Sequence, residues 1–487
     1  MKFKTYFYHF TFLATAFLML FCLRKIEALS LTIPGTYSVP ILILVVTFFK
    51  NSFFKTQMQK HCKKIFWTLL TISLVSRTYW NFFSEAIQTS DAAWYLEQGI
   101  NISHGKFLLY AGKQTGPSIL AALGIILLPL PTTKAALFPL LLVTAFFPIL
   151  IFYFLKTVTN IPTALIGMTI AVFWPEAFFY SNFITASVYQ SFFILLGYIF
   201  WLFSINKNET LKSNFLWLWP LVGGIFMGIA QYMRPNTIIF VVGIAIVIAM
   251  EKTAIRKLLV LLVGFVTICL PIIFFNWSEY KIISISPSQN AGNSLVIGTN
   301  FASKGHYYEN FNKEIDEELT QLITQNKISD SRDMINRSRA AKSLALKRIL
   351  SDPFRFIDLA INYKWPVYWA NSASLAWTFE GTEFETKTEL INEASFFTER
   401  FHRILVFLTF LSLFIAFFRA ENLFFIRTTP FIVGTLAIAS VHLIAEVQSQ
   451  YHVSVSSFFP ICGALGFAYL DSFNIREKLF NLLKYAS

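Results

Sequence analysis

Apolar residues in this chain fall in continuous runs, not in alternation with polar ones. The runs occupy 7–23, 39–54, 65–83, 117–130, 135–155, 162–175, 183–203, 216–232, 237–250, 258–275, 401–418, 429–445 and 452–470. Apolar stretches of about 17–25 residues suit helices that cross a bilayer, whereas a membrane barrel would show a two-residue alternation. The pattern predicts an all-α polytopic membrane protein with about 11–13 transmembrane helices. Two segments interrupt it, 84–115 and 276–399. The second is too long for a simple connector. Within it, 309–327 and 331–350 read as helices, and Asp352-Pro353 ends the second. The stretch 284–297 alternates Ser, Ile and Asn around Pro287 and Gly292, and reads as a loop with a short strand, which makes the segment mixed. Four parts result: an N-terminal hairpin with its basic loop (1–64), a membrane core (65–275), the long polar segment (276–399), and C-terminal helices with a tail (400–487).

Composition agrees with the pattern. Of 487 residues, 55% are hydrophobic and only 14% charged, too apolar a balance for a soluble chain of this length. The net charge of +13 would suit nucleic acid, but its distribution does not. The segment 276–399 holds 16 acidic and 13 basic residues, so the remainder holds 11 acidic and 27 basic. That excess sits in short loops at 50–64, 207–212 and 251–257 and in the tail at 476–484. Positive charge concentrated in short loops marks the cytoplasmic side. No nucleic-acid partner is expected, and 276–399 is expected on the extracytoplasmic face of the cell membrane. The first apolar run lacks a small-residue cleavage site after Cys22 and reads as a retained helix. An inner N-terminus and ten crossings before Asn276 would put the long segment inside. One early run must therefore not cross fully. The region 117–175 is the suspect, with prolines at 117, 129, 131, 139, 148, 162 and 175. Cys22, Cys62, Cys269 and Cys462 are dispersed and suggest neither a disulfide framework nor a metal cluster.

Candidate chemistry clusters near the ends of these runs. Asp91 follows the third run, with Tyr95 four residues on and so on the same helical face. A carboxylate there can take a proton from an acceptor hydroxyl, or Ser90 or Asp91 can cap the helix. Arg77 sits late in an apolar run, placed either to snorkel or to meet an anion. Arg234 lies in Gln231-Tyr232-Met233-Arg234-Pro235-Asn236, where a helix breaks; its guanidinium fork suits phosphate, and a hairpin turn with an interfacial Arg is the plain alternative. The amide-rich stretch with Asn290, Gly292, Asn300 and Lys304 suits a hydroxyl-rich ligand, and ordinary turn chemistry also explains it. Glu446, Gln450, Tyr451 and His452 crowd a seven-residue break between the last two runs. No HxxxH, CxxC or DxD spacing and no nucleotide-binding glycine pattern occurs, so no metal ligand set is assigned.

Taken in order, these motifs resemble the GT-C membrane glycosyltransferases, in the branch of protein-O-mannosyltransferases and aminoarabinose transferases that use polyprenyl-phosphate-linked sugars. The resemblance rests on Arg77, Ser90-Asp91-Ala92-Ala93-Trp94-Tyr95 with Gly105, Gly228 through Asn236, Asn276-Trp277, the stretches 286–292, 295–300 and 303–305, Ser351-Asp352-Pro353-Phe354-Arg355-Phe356, and 446–451. It covers about 65–470, and its specific part is the order of short motifs. It implies a GT-C-like fold and transfer of a sugar from a polyprenyl-phosphate-linked donor to a glycan, lipid or protein acceptor. Asp91 would be the base or the acceptor-orienting carboxylate. Arginines such as Arg77 and Arg234 would stabilise the leaving phosphate, and a divalent cation, Mg or Mn, is possible. The chain departs from the pattern in three places. It has Ser90-Asp91-Ala92 where many relatives have Asp-Glu, Gln450-Tyr451 where they often have Arg-Tyr, and no acid after Thr185. These departures leave room for an inactive scaffold, and a flippase of lipid-linked glycans is the rival class, although no paired internal repeats are visible.

Overall fold

A computed structural model of the chain describes residues 2–29, 52–84, 86–106, 113–205, 217–250, 254–325, 327, 334–419 and 421–472. The run predicted at 39–54 and the basic stretches at 207–212 and 476–484 lie largely or wholly outside these residues. Among the described residues every regular element is helical. The protein is an all-α membrane protein.

Among the described residues six helices are long and apolar enough to cross a bilayer: Tyr6–Lys25, Thr132–Val158, Ala186–Ile205, Ile255–Tyr280, Thr388–Arg419 and Leu423–Ile444. Two bent pairs, Ile161–Phe173 with Pro175–Asn182 and Ser449–Val455 with Phe458–Tyr469, bring the number to eight if each counts as one span. Three shorter apolar helices accompany them, Gly116–Leu127, Leu218–Met233 and Thr237–Ala249. The run expected at 452–470 is therefore not one straight helix: it turns by 69° between its two halves.

The proline-rich region behaves as two different kinds of element. Pro139 and Pro148 lie inside a continuous helix, Thr132–Val158, so they do not break it. The break comes at Trp174, which is extended (φ −71°, ψ 114°), as the residue before a proline tends to be. The chain turns there by 58°. Gly116–Leu127 has 12 residues, about 18 Å of helix, which is short of a bilayer's apolar core of about 30 Å.

Pro175 has no N–H to give the carbonyl of Ala171. Arg77 replaces it. Its guanidinium donates to Ala171 O at 3.2 Å, Val172 O at 3.3 Å and Ser73 O at 3.5 Å, and the side chain is fully buried. Elsewhere helices approach closely through small residues. A Cβ on Gly224 would lie 1.9 Å from Leu261 O, and one on Gly264 would lie 2.3 Å from Leu221 O, so helices Leu218–Met233 and Ile255–Tyr280 touch backbone to backbone.

The regular elements described in the long polar segment are all helices, and the expected strand in 284–297 is absent. Residues 282–290 are irregular and Ala291–Gly298 is a helix. It packs with Phe311–Thr324 and Met334–Ser351 around Val296, Ile315, Leu319 and Ala341. Glu314 pairs with Arg348 and Tyr308, and Glu318 with Lys347 at 2.6 Å. Asp352-Pro353 ends one helix and starts another, because the Asp352 carboxylate accepts from Arg355 N at 3.0 Å and caps Pro353–Asp358.

Candidate functional site

A cavity of about 650 Å³ opens where six separate parts of the chain meet. Asp91, Tyr95, Arg234, Asn290, Glu446, Gln450 and Tyr451 all line it. The first wall is the helix Ser90–Ser103. Its N-cap is Thr89, not Ser90 or Asp91, and the Thr89 hydroxyl bonds Glu380 at 3.0 Å instead of the helix end. Ser90 takes φ 52°, a left-handed conformation that is sparsely populated outside glycine. Asp91 is 64% exposed and its carboxylate meets Lys113 Nζ at 2.8 Å. Tyr95, one turn on, is buried and bonded to Gln114; burial first and the charge of Asp91 second hold its phenol protonated.

The facing wall is the break between the last helices. Gln450 donates to Gln448 at 2.7 Å and Gln448 donates to Glu446 at 2.5 Å, a file of amides ending on a carboxylate. Burial raises the pKa of Glu446; bonds from Gln448 and Tyr451 and the charge of Arg234 oppose that rise, and Asp91 adds to it. Arg234 stacks over the Tyr451 ring, 5.0 Å from its centroid, and donates to Ser454 at 3.3 Å. It stands at the C-cap of Leu218–Met233 in extended backbone. Gln231 fixes this turn by accepting from Ile238 N at 2.9 Å and donating to Pro235 O and Ile285 O, each at 3.1 Å. Two groups able to carry negative charge, Asp91 and Glu446, thus face one half-buried guanidinium.

The loop that carries Asp91 is braced from below. Asn182 donates to Ser84 Oγ at 2.7 Å and to Thr378 O at 3.1 Å. Gln88 donates to Asn182 O at 2.9 Å and accepts from Ile184 N at 2.8 Å. Ile87 N donates to Glu380 O at 2.7 Å. Three chain segments, 84–88, 182–184 and 378–380, share this network.

A second brace lies behind Glu446. Gly298 comes so close to Ala445 that a Cβ would sit 2.2 Å from its carbonyl carbon. Lys364, buried, donates to Gly298 O at 3.0 Å and Leu443 O at 2.8 Å, joining two helix C-termini. Burial lowers its pKa to about 7, against the pull of Glu446.

Five other candidates stand away from the cavity wall. Arg77 holds the helix end described above. Gly292 abuts Ser338, whose carbonyl oxygen a Cβ would approach to 2.4 Å. Asn300 accepts from Ser303 N at 2.9 Å, and Lys304 lies over the Tyr363 ring at 5.1 Å. His452 is buried against Glu176 at 2.7 Å. With His402 these two form a cluster of three metal-capable side chains. The sequence reading missed Gln448, Thr185, Asn293 and Trp377 on the cavity and His402 in the cluster. Gln448 lies inside a stretch already singled out; His402 gave no signal, being one histidine in an apolar run.

No protein-family model matches the chain, and no curated protein matches it. Solved structures do resemble it. The archaeal oligosaccharyltransferase AglB from Archaeoglobus fulgidus, in complex with an inhibitory peptide and a dolichol-phosphate, is 13% identical at a TM-score of 0.49 over 88% of this chain and 52% of that one. ArnT from Cupriavidus metallidurans, bound to undecaprenyl phosphate, is 12% identical at a TM-score of 0.36 over 84% of this chain and 77% of that one. An Archaeoglobus fulgidus oligosaccharyltransferase solved in complex with Zn and sulfate gives 12% and 0.46, over 86% and 51% of the two chains. The chain spans about half the length of the archaeal enzyme.

Proposed function

We propose that the protein is a GT-C-like membrane glycosyltransferase that moves a sugar from a polyprenyl-phosphate donor to an acceptor hydroxyl at the extracytoplasmic face. One observation carries this reading: Asp91, Arg234, Glu446, Gln450 and Tyr451, spread over 360 positions, converge on a single cavity. In the reaction, the acceptor oxygen bonds to the anomeric carbon as the bond from that carbon to the phosphate oxygen breaks. The electron pair leaves on the phosphate and the acceptor proton passes to the Asp91 carboxylate. Arg234 meets the growing charge on the phosphate, which is where a fixed cation lowers a barrier most. The file Gln450, Gln448 and Glu446 offers both donors and acceptors for sugar hydroxyls. Lys113 pairs with Asp91 at 2.8 Å, and the acceptor hydroxyl takes its place.

The test is the lipid profile of a deletion strain. Loss of the gene should make one polyprenyl-phosphate sugar accumulate and one glycan disappear, and the wild-type gene should reverse both. Reconstituted protein that carries labelled lipid-linked sugar across vesicles without forming product would instead establish transport.

A further inference from the structure

We propose that Glu176, His402 and His452 bind a divalent ion of the zinc class, and that this ion ties together both broken helices of the bundle. The site is separate from the Asp91 cavity and does not depend on the reaction assigned there. Glu176 follows the bend at Trp174, His452 precedes the 69° bend, and His402 projects from the long helix Thr388–Arg419. All three are buried, with side-chain exposures of 2%, 0% and 0%.

Hydrogen-bond chemistry leaves a gap at their centre. His402 Nε2 lies 3.0 Å from Trp369 O, which can only accept, so Nε2 carries the hydrogen. In a neutral imidazole Nδ1 is then a bare lone pair, and it points at Glu176 Oε1 from 3.3 Å. Two acceptors facing each other in a dry interior need a proton or a metal ion between them, and a metal ion can serve both histidines at once. A ring N–H tied to a backbone carbonyl is also what orients a metal-binding histidine. His452 Nε2 reaches the other Glu176 oxygen at 2.7 Å, and the two imidazoles lie 4.5 Å apart. The Nδ1 atoms of both histidines are buried without a hydrogen-bond partner. The three donor atoms lie within 4.8 Å of one another. Tetrahedral zinc, with bonds of about 2.0–2.2 Å, needs donors about 3.3 Å apart, which small side-chain rotations supply. A cavity of about 20 Å³, lined by Glu176, Thr144 and Ser456 among mostly apolar side chains, adjoins Glu176. It has room for one water. Two imidazoles and one carboxylate form a nitrogen-rich set that suits zinc and not magnesium.

The full-length protein, purified in detergent, dialysed against chelator and then given zinc chloride, tests this. The expected result is about one zinc per chain by mass spectrometry and a rise in the unfolding midpoint of about 2 °C or more. Glu176→Gln and His402→Gln should bind at least about tenfold more weakly. Should those variants fail to fold, cobalt(II) added to the wild type gives the answer: an intense tetrahedral visible spectrum supports the site, and the pale spectrum of the aqueous ion overturns it. Wild-type protein that takes up no more zinc than the His402→Gln variant, or whose midpoint zinc leaves unmoved, also overturns it.

Discussion

Replacing Asp91 by Asn separates a chemical role from a structural one, because the structure gives the two roles very different sizes. The carboxylate is 64% exposed and its ion pair with Lys113 spans 2.8 Å. A pair so open to solvent contributes at most about 1 kcal/mol to stability, and Thr89, not Asp91, holds the N-cap position. An asparagine side chain has the same shape as the aspartate it replaces, so the unfolding midpoint should move by less than about 2 °C. As the base of sugar transfer, the same group is worth about 10²–10⁴ in rate, or about 3–5 kcal/mol of barrier. The assay measures transfer from a purified polyprenyl-phosphate sugar fraction into product, beside a thermal melt of the same sample. A fall of at least about 100-fold with an unmoved melt is expected. Transfer in Asp91→Asn at the wild-type rate refutes the assignment, and so does a loss that follows a falling midpoint. Lys113→Gln is the control: it removes the same ion pair and should keep transfer within about tenfold of wild type.

Arg234→Gln should lower transfer by about 10²–10³ through the lost phosphate contact, with little change in the melt; single-turnover kinetics with pre-bound donor check it. Gly298→Ala should destabilise by about 1–3 kcal/mol, because the new methyl meets Ala445 backbone and not a movable side chain; denaturation in detergent reads it. Lys364 has a folded pKa of about 7 against an ordinary 10.5, so the unfolded chain binds more protons between those values. Stability should therefore rise with pH across that window, by at most about 1.4 kcal/mol per pH unit, and Lys364→Met should flatten the rise in midpoints measured from pH 7 to pH 10.

The membrane helices are legible in the sequence because an apolar run long enough to cross a bilayer has few other structures open to it. The runs at 135–155 and 258–275 lie within Thr132–Val158 and Ile255–Tyr280. Tertiary partners are not legible in the same way. Arg77 reads in one dimension as a snorkelling side chain or an anion ligand, and only the fold reveals that it faces the carbonyl left open by Pro175. Pro139 and Pro148 look like breaks, yet the surrounding helices hold Thr132–Val158 together. The alternation in 284–297 suggests a strand, but contact between Gly292 and Ser338 belongs to helix packing. Asp91, Tyr95, Arg234, Asn290, Glu446, Gln450 and Tyr451 are legible as separate motifs at chain breaks, since polar groups there have few purely packing roles. The Glu176, His402 and His452 cluster was not found, because its members are isolated in sequence and meet only through two bends and a long helix.

The braces beneath Asp91 bear on how the cavity could be re-engineered. Residues 84–95, a connector and the first turns of the helix Ser90–Ser103, look like a piece that could be exchanged for a relative's to alter the acceptor. The Asn182 and Gln88 amides each bridge this loop to other segments, 182–184 and 378–380. A graft of 84–95 alone would leave several buried amides and carbonyls unmatched, each at about 1–3 kcal/mol. The unit of exchange is therefore three segments moved together, and variation that reshapes this cavity must come from the side chains on its wall before it comes from the loop's path.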